Sequence, residues 1–480
     1  MAILPTKTAL HSKDKRAQSN VFAFSVITGL FFIWGFITCL NDILIPYLKH
    51  QFVLNYLQAT LVQFAFFGAY FIGSVVYFLS SVKYGDLIEK IGYKDCIIWG
   101  LLIAAAGCLL FYPAAGFRIY GLFLGALFCL GLGFTLLQIA ANPYVAILGS
   151  EESASGRLNL AQGLNSFGTT IAPLIGGYFL FSHSGTSDAD LGSSTIQTMY
   201  LLFAGVFFVM ALVFRFIKLP AFKSETELVK GARALKYPHL VLGILAIFTY
   251  VGGEVGVGSL LINFFKLPEI AGLTEAQGSR YVAFYWGGLM IGRFIGAVSL
   301  STGLARTQKT GLMILIPLVS FVAIGLLTDW TTAGFYSIFL LLTLLAFFVG
   351  ASLPARTLGV FSFILVVLIS TAIFTTGPIA MWCLIGAGLF NSILWSNIFA
   401  LAIAGLGKYT SQGSSLLIMA ILGAALLPVL QGAIADAYGL QYSFFIPVLC
   451  YAYLVFYGFL GYKAGREKKI KSIELKLLKQ

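Results

Sequence analysis

The stretch WGFITCLNDILIPYLKH, residues 34–50, decides the reading of this chain. It places Asn41, Asp42 and Pro46 near the end of an apolar run that begins at Val21 and is long enough to cross a bilayer. A carboxylate in the middle of a hydrocarbon layer costs about 2.5 kcal/mol or more, so Asp42 in such a run points to a task. Its counterpart in the second half of the chain is Glu254, in TYVGGEVGVGSLLINFF, residues 249–265. Of the 18 acidic residues, these two fall inside an apolar span; the others sit in loops, tails or at helix ends.

The composition agrees with a chain that lives in lipid. Its 480 residues are 59% hydrophobic and 10% charged, with a mean hydropathy of +0.93, against roughly 25% charged residues in a soluble domain. A span needs about 20 predominantly apolar residues, and fourteen such stretches can be marked between Val21 and Tyr462. The fold class expected is an all-α polytopic membrane protein. Lys and Arg favour the cytoplasmic side. With the N-terminus inside, Lys49, Arg118, Lys266 and Arg280 fall on outer segments, Arg293 lies within a span, and the other 25 of the 30 basic residues face inward. Both termini are therefore expected in the cytoplasm, with the chain crossing the plasma (inner) membrane many times. That sidedness accounts for the net charge of +12 and removes the need for a nucleic-acid partner. The first apolar run is about twice the length of a signal-peptide core and has no small-residue cleavage site, so it is expected to stay attached. The six cysteines are scattered, with no metal spacing, and read as small core residues.

The longest polar interruption, LPAFKSETELVKGARALKYPH at 219–239, separates six spans from eight. It divides the chain into a tail (1–20), an N-terminal six-helix bundle (21–217), a cytoplasmic linker (218–237), a C-terminal bundle (238–462) and a basic tail (463–480). Asn142, Gly168 and Pro173 are spaced by 26 and 31 from the first, and Asn397, Gly423 and Pro428 repeat those offsets. Such a parallel repeat is what two related six-helix halves of a transporter would leave. Six plus eight leaves two spans over. The hairpin 334–376, turning at Arg356, is expected to be the inserted pair and to pack outside the bundle.

The polar residues within the spans are of one kind. Asn41, Gln138, Asn142, Gln162, Asn165, Asn263, Asn391 and Asn397 carry amides, and Trp34, Tyr285, Trp286 and Trp395 stand among them. An amide offers donor and acceptor together, which suits a polyhydroxyl ligand, and indole or phenol rings give flat faces for the C–H side of a sugar. Singly, each amide is more often glue between helices; as a set around two acids they point to a sugar-binding cavity. Gln162 and Asn165 share a helix face, as do Gln138 and Asn142. Gly288, Gly292 and Gly296 at spacing four need only mean close helix packing. Asp42 and Glu254 offer hard oxygen ligands to Na+ or a place for a proton, and the competing reading of Glu254 is a charge pair with Arg293. The four histidines lie in loops or at span ends, and no nucleophile–base pair or phosphate loop is present, so neither an enzyme nor a cofactor is expected.

The motifs FFIWGFITCLNDILIPYL, QIAANPYVAILG, RLNLAQGLNSFGTTIAPLIGG, YVGGEVGVGS and FYWGGLMIGRF resemble those of the fucose/galactose/glucose:cation symporter branch of the major facilitator superfamily. The resemblance spans nearly all of the chain except both tails and the 334–376 hairpin. It implies the major facilitator fold, two six-helix bundles with a two-helix insertion, and places Trp34, Asn41, Gln162 and Asn165 at a central sugar site. In the L-fucose/proton symporter of that branch, one proton-carrying carboxylate lies in the N-D-I-L motif, matched by Asp42, and another just before A-A-N-P, where this chain has Gln138. Gln138 cannot titrate, whereas the Y-V-G-G-E-V motif with Glu254 looks like that of the glucose/galactose transporters, some of them sodium-coupled. The residues and the resemblance together point to a carrier, expected as a monomer, that takes up a hexose, glucose or galactose, by alternating access, with Na+ held at Asp42 and Glu254. The alternatives are proton coupling through Asp42, a membrane sugar sensor that does not transport, and a multidrug exporter.

Overall fold

The computed structural model describes residues 22–39, 48, 51–52, 56–181, 189–217, 219–220, 231–301 and 304–465; Asn41 and Asp42 lie outside them. Fourteen helices of spanning length follow one another, with no strand among the described residues. In the first half these are α1 (Phe22–Cys39), α2 (Tyr56–Tyr84), α3 (Tyr93–Phe117), α4 (Tyr120–Ile147), α5 (Ala154–Phe181) and α6 (Ala189–Phe216). In the second they are α7 (Pro238–Lys266), α8 (Glu275–Ser299), α9 (Arg306–Leu327), α10 (Trp330–Gly350) and α11 (Pro354–Phe374), then α12 (Gly377–Ile403), α13 (Gly407–Tyr438) and α14 (Leu440–Phe459). Thirteen of them are long and apolar enough to cross a membrane. The other is α5, the helix that carries Arg157, Asn159, Gln162 and Asn165.

Local chemistry sets the ends of these helices. Pro occupies the first turn of α7, α11 and α12, where its missing N–H has no partner to lose. Thr274 and Gln277 close a capping box at the start of α8. Asp329 caps α10 by accepting from the Thr332 N–H at 2.8 Å. Two second-half helices are broken at mid-length. α12 loses its helical ladder between Asn391 and Leu394, and α13 tightens to 3-10 geometry at Ala420–Leu422.

The internal repeat is written into backbone packing. A Cβ on Gly168 of α5 would stand 2.3 Å from the Phe32 carbonyl oxygen of α1, and a Cβ on Gly423 of α13 would stand 2.0 Å from the Phe248 carbonyl oxygen of α7. The repeated glycine therefore makes the same contact in each half: the fifth helix of the repeat against the first, too close for a side chain. From Phe32 to Gly168 is 136 residues and from Phe248 to Gly423 is 175, so the second half carries 39 more, the length of a helical hairpin.

Packing also moves that hairpin from its expected place. In the first half α3 packs along α4 and α6; in the second half α11 packs along α12 and α14 and so takes the position of α3. The additional pair is then α9 and α10, within 306–350, rather than 334–376. α9 rests on α8 and α10 and is the least covered of the thirteen apolar spans, presenting Leu315, Leu318, Val319 and Val322 outward. Hydropathy alone does not separate such a helix from α11, because lipid tails are as apolar as a protein core.

Substituting Gly168→Ala or Gly423→Ala forces the paired helices apart and should cost about 1 to 3 kcal/mol each. Gly205→Ala, with nothing within 4 Å of its Cβ position, should be neutral or slightly stabilising. Thermal unfolding in detergent checks this: the first two variants lower Tm and the third does not, and three equal values would contradict the shared contact.

Candidate functional site

On the first half, α1, α2, α4 and α5 bring together Trp34, Tyr70, Gln138, Gln162 and Asn165. Tyr70 is buried against the Phe66 ring at 5.4 Å, Phe66 lies 6.0 Å from Phe134, and the Trp34 ring packs at 5.4 Å from Phe31 and 6.1 Å from Phe134. Asn165 donates its amide to the Phe31 carbonyl at 3.0 Å. Gly35 lets α5 approach this closely, since a Cβ there would meet the Asn165 carbonyl at 2.2 Å. Asn142 lies fully buried one turn beyond Gln138; its amide donates to the Gln138 carbonyl at 3.1 Å, and its own oxygen has no partner.

On the second half, Asn391 is the hub. Its side-chain oxygen accepts from the Tyr451 hydroxyl at 2.7 Å, and its amide donates to the Tyr285 hydroxyl at 3.0 Å. Tyr285 in turn donates to the Glu254 carbonyl at 3.0 Å, and the Tyr250 hydroxyl lies 3.3 Å from the Asn391 carbonyl. Tyr250 stands one turn before Glu254 on the same helix. Tyr250 and Glu254, four apart on α7, thus share one face. All of these side chains are buried. Trp286, by contrast, is 44% exposed beside the buried Tyr285, with its ring against Gly258 of α7.

Arg293 joins the two groups. Gly288 and Gly292 allow α8 to touch the backbone of α12, where Cβ atoms would meet Leu389 N at 2.9 Å and Leu389 O at 2.8 Å. This brings Arg293 to the break in α12, where its Nε donates to the Ser392 carbonyl at 3.2 Å. Its Nη1 reaches across to α5, donating to the Gln162 carbonyl at 3.4 Å and to the Ser166 hydroxyl. A buried guanidinium needs several acceptors because it does not deprotonate, and a broken transmembrane helix supplies a free carbonyl where one is needed.

Other expected site residues lie elsewhere. Asn397 donates to the Pro354 carbonyl at 3.2 Å, and its oxygen accepts from Asn159 of the first half at 3.4 Å. It therefore ties helices together rather than presenting its amide to a cavity. Asn263 is exposed near the end of α7, away from the cluster around Glu254. Trp395 is buried and stacked on Phe399 at 6.0 Å, with its indole N–H unpartnered. Asn41 and Asp42 fall outside the described residues. Among those residues, no group of three His, Cys, Asp or Glu side chains is placed to hold a metal.

The end of the molecule that carries the linker is shut by contacts absent from the sequence reading. Asp86 caps the short helix Leu87–Ile91 through the Ile88 N–H at 2.9 Å, accepts from Tyr77 at 2.7 Å, and accepts from the Ser411 hydroxyl of the other half. Gln412 donates to Ser81 at 3.2 Å and accepts from the Ala234 N–H of the linker at 3.0 Å. Along α5 and α8 the closure runs from Gly156, packed on Leu300, past Arg293 to Thr170, whose hydroxyl donates to the Met290 sulfur at 3.9 Å. Asp86 was open to discovery as an N-cap before LIEKI, and Tyr250 as the neighbour one turn before Glu254. Tyr70, Ser166 and Tyr451 carry no such local signal.

Two helical halves joined by a linker, each with a polar group at mid-membrane and with a seal at one end, define a membrane carrier of the alternating-access kind. The chain belongs to the Major Facilitator Superfamily, which it matches over residues 26–357. A Brucella abortus protein named glucose/galactose transporter is 42% identical, covering 96% of this chain and 99% of its own. The L-fucose-proton symporter of Escherichia coli is 30% identical over 91% of this chain and 92% of its own. The crystal structure of the superfamily transporter FucP in the outward conformation aligns with a TM-score of 0.74 at 29% identity, covering 92% of this chain and 99% of that one. The chain is thus a transporter and not an enzyme.

Replacing Asn391 by Ala leaves two buried tyrosine hydroxyls short of a partner, each costing about 1 to 3 kcal/mol. Tyr451→Phe, which removes one donor and leaves a single unpaired amide oxygen, should cost less. In thermal unfolding the Ala variant should melt below the Phe variant; the reverse order would remove Asn391 from the centre of the network.

Proposed function

We propose that this carrier takes up a hexose, glucose or galactose, together with Na+, with the linker end in the cytoplasm and the centre open to the outside in the arrangement described. What supports this reading is the bonding of Arg293 to Gln162 and Ser166 across the halves, which sets the amide-bearing α5 beside the helix that carries Tyr285 and Trp286 and, through Tyr285, the Glu254–Asn391 cluster. Amides and hydroxyls in that number match a ligand whose every OH both donates and accepts. Trp286, half exposed beside them, supplies a ring face. The inward bias of Lys and Arg supports the sidedness, and the relative named as a glucose/galactose transporter supports the choice of sugar. Asp42 and Glu254 are the carboxylates assigned to the coupling cation, with Na+ preferred because Gln138 removes one titratable group from the centre.

A second reading, coupling to protons through Asp42, is favoured by the 30% identity to a protein named L-fucose-proton symporter. Linkage separates the two, because a coupled ion and sugar must raise each other's affinity by one factor. Measured by calorimetry at fixed pH, sugar affinity should rise when Na+ replaces K+ or choline, and Glu254→Gln should diminish that rise more than it diminishes binding at zero Na+. Affinity that ignores Na+ and increases as pH falls would replace the sodium reading with the proton one.

A further inference from the structure

Three side chains that are fully charged in water are buried among the described residues: Asp86, Glu254 and Arg293. Asp86 is a helix cap at the linker end. Glu254 and Arg293 stand in the centre, on α7 and α8 of the same half, and their placement raises a question the proposed function leaves open. Arg293 spends its N–H groups on neutral oxygens, those of Ser392, Gln162 and Ser166. Two of the three belong to α5 in the other half. The Glu254 carboxyl lies within electrostatic reach of the guanidinium, yet it is not among the acceptors that hold it.

The acceptors differ in what happens to them during transport. Ser392 moves with Arg293, since both belong to the second half. Gln162 and Ser166 are lost whenever α5 and α8 part at this level, which any opening toward the linker end requires, because the contacts along these helices run from Gly156 through Arg293 to Thr170 and Met290. A guanidinium stripped of two of three partners in a low-dielectric interior turns to the nearest anion. That anion is Glu254, which rides on the same half and needs no crossing to be reached.

Building on the proposed cation coupling, we propose that Arg293 is an internal competitor for the coupling site: cross-bonded to Gln162 and Ser166 while the halves are sealed, it turns to Glu254 when they part and expels the cation held there. Charge is conserved in the exchange, one positive group leaving the carboxylate as another arrives. The cation is thereby released on the side to which the carrier opens, and rebinding requires Arg293 to return to α5. Arg293 acts through Glu254 and the seal between halves, so it is a positioning residue for coupling rather than a ligand of the sugar. Among the described residues, the titratable groups facing Glu254 are Tyr250 on its own helix, Tyr285 and Arg293 on α8, and Tyr451 on α14.

The test is a titration of sugar affinity in the full-length protein in detergent, against Na+ at fixed pH and against pH at fixed Na+. Removing the competitor with Arg293→Gln should lower the cation concentration for half-maximal effect, by fivefold or more. Removing its alternative partner with Ser166→Ala should raise it, the opposite sign from a substitution on the opposite half. In a Glu254→Gln background neither substitution should shift the midpoint further. If Arg293→Gln fails to fold, Ser166→Ala alone carries the same sign test. A midpoint that Ser166→Ala leaves in place, or that moves in one direction in both variants, overturns the inference while leaving cation-coupled sugar binding intact. A wild-type protein that binds sugar with neither dependence overturns the coupling reading and this inference together.

Discussion

A guanidinium in the middle of a bilayer has to be satisfied by the protein itself, since lipid offers no acceptor, and much of the central architecture follows from meeting that demand for Arg293. The broken ladder of α12 frees the Ser392 carbonyl, and the glycines at 288 and 292 bring α8 close enough to use it. The remaining acceptors come from the other half, so the same residue that needs satisfying also holds α5 against α8. A carrier whose halves must separate has thereby placed a charge at the seam. The seam cannot open without that charge finding a new partner, and among the described residues Glu254, on the same half, is the buried acid whose charge interacts with it.

The two halves solve the backbone-packing problem in the same way and the polar problem differently. Gly168 and Gly423 make the same contact with the first helix of their repeat, which fixes the splay of each bundle. The first half then lines its centre with an amide and two aromatic side chains, Gln138, Tyr70 and Trp34. The second builds a closed tyrosine network on Asn391 beside an acid. One asymmetry of the repeat is informative at the seal. Asn397 receives a bond from Asn159, whereas Asn142 and Ser414, which stand in the repeat-related positions, each keep a buried oxygen without a partner. The repeat thus supplies a side-chain bond between the halves in one arm and none in the other.

Much of this was legible from residue order. Span number and the two-half repeat follow from hydropathy and spacing, because burial in lipid leaves few ways to arrange apolar runs of that length. Glu254 and Arg293 stood out for being charged where charge is expensive. What could not be read were contacts that depend on how helices face one another: the aromatic chain from Tyr70 through Phe66 and Phe134 to Trp34, the Tyr451 bond to Asn391, and the cross-half role of Ser166. The inserted hairpin was misplaced by one helix for the same reason, since α9 and α11 are equally apolar and differ only in what they touch. Asn397 was expected at the sugar because an amide in a span looks the same whether it serves a ligand or a neighbouring helix.

The central claim is that a sodium gradient does the work, with the acids at 42 and 254 as its handle. Uptake of labelled glucose or galactose into proteoliposomes, with Na+ and pH gradients imposed one at a time, tests it most directly. The account predicts accumulation driven by the Na+ gradient alone, none from the pH gradient alone, and loss of accumulation in Asp42→Asn. Accumulation driven by the pH gradient in the absence of Na+, or at wild-type level in Asp42→Asn, would contradict it.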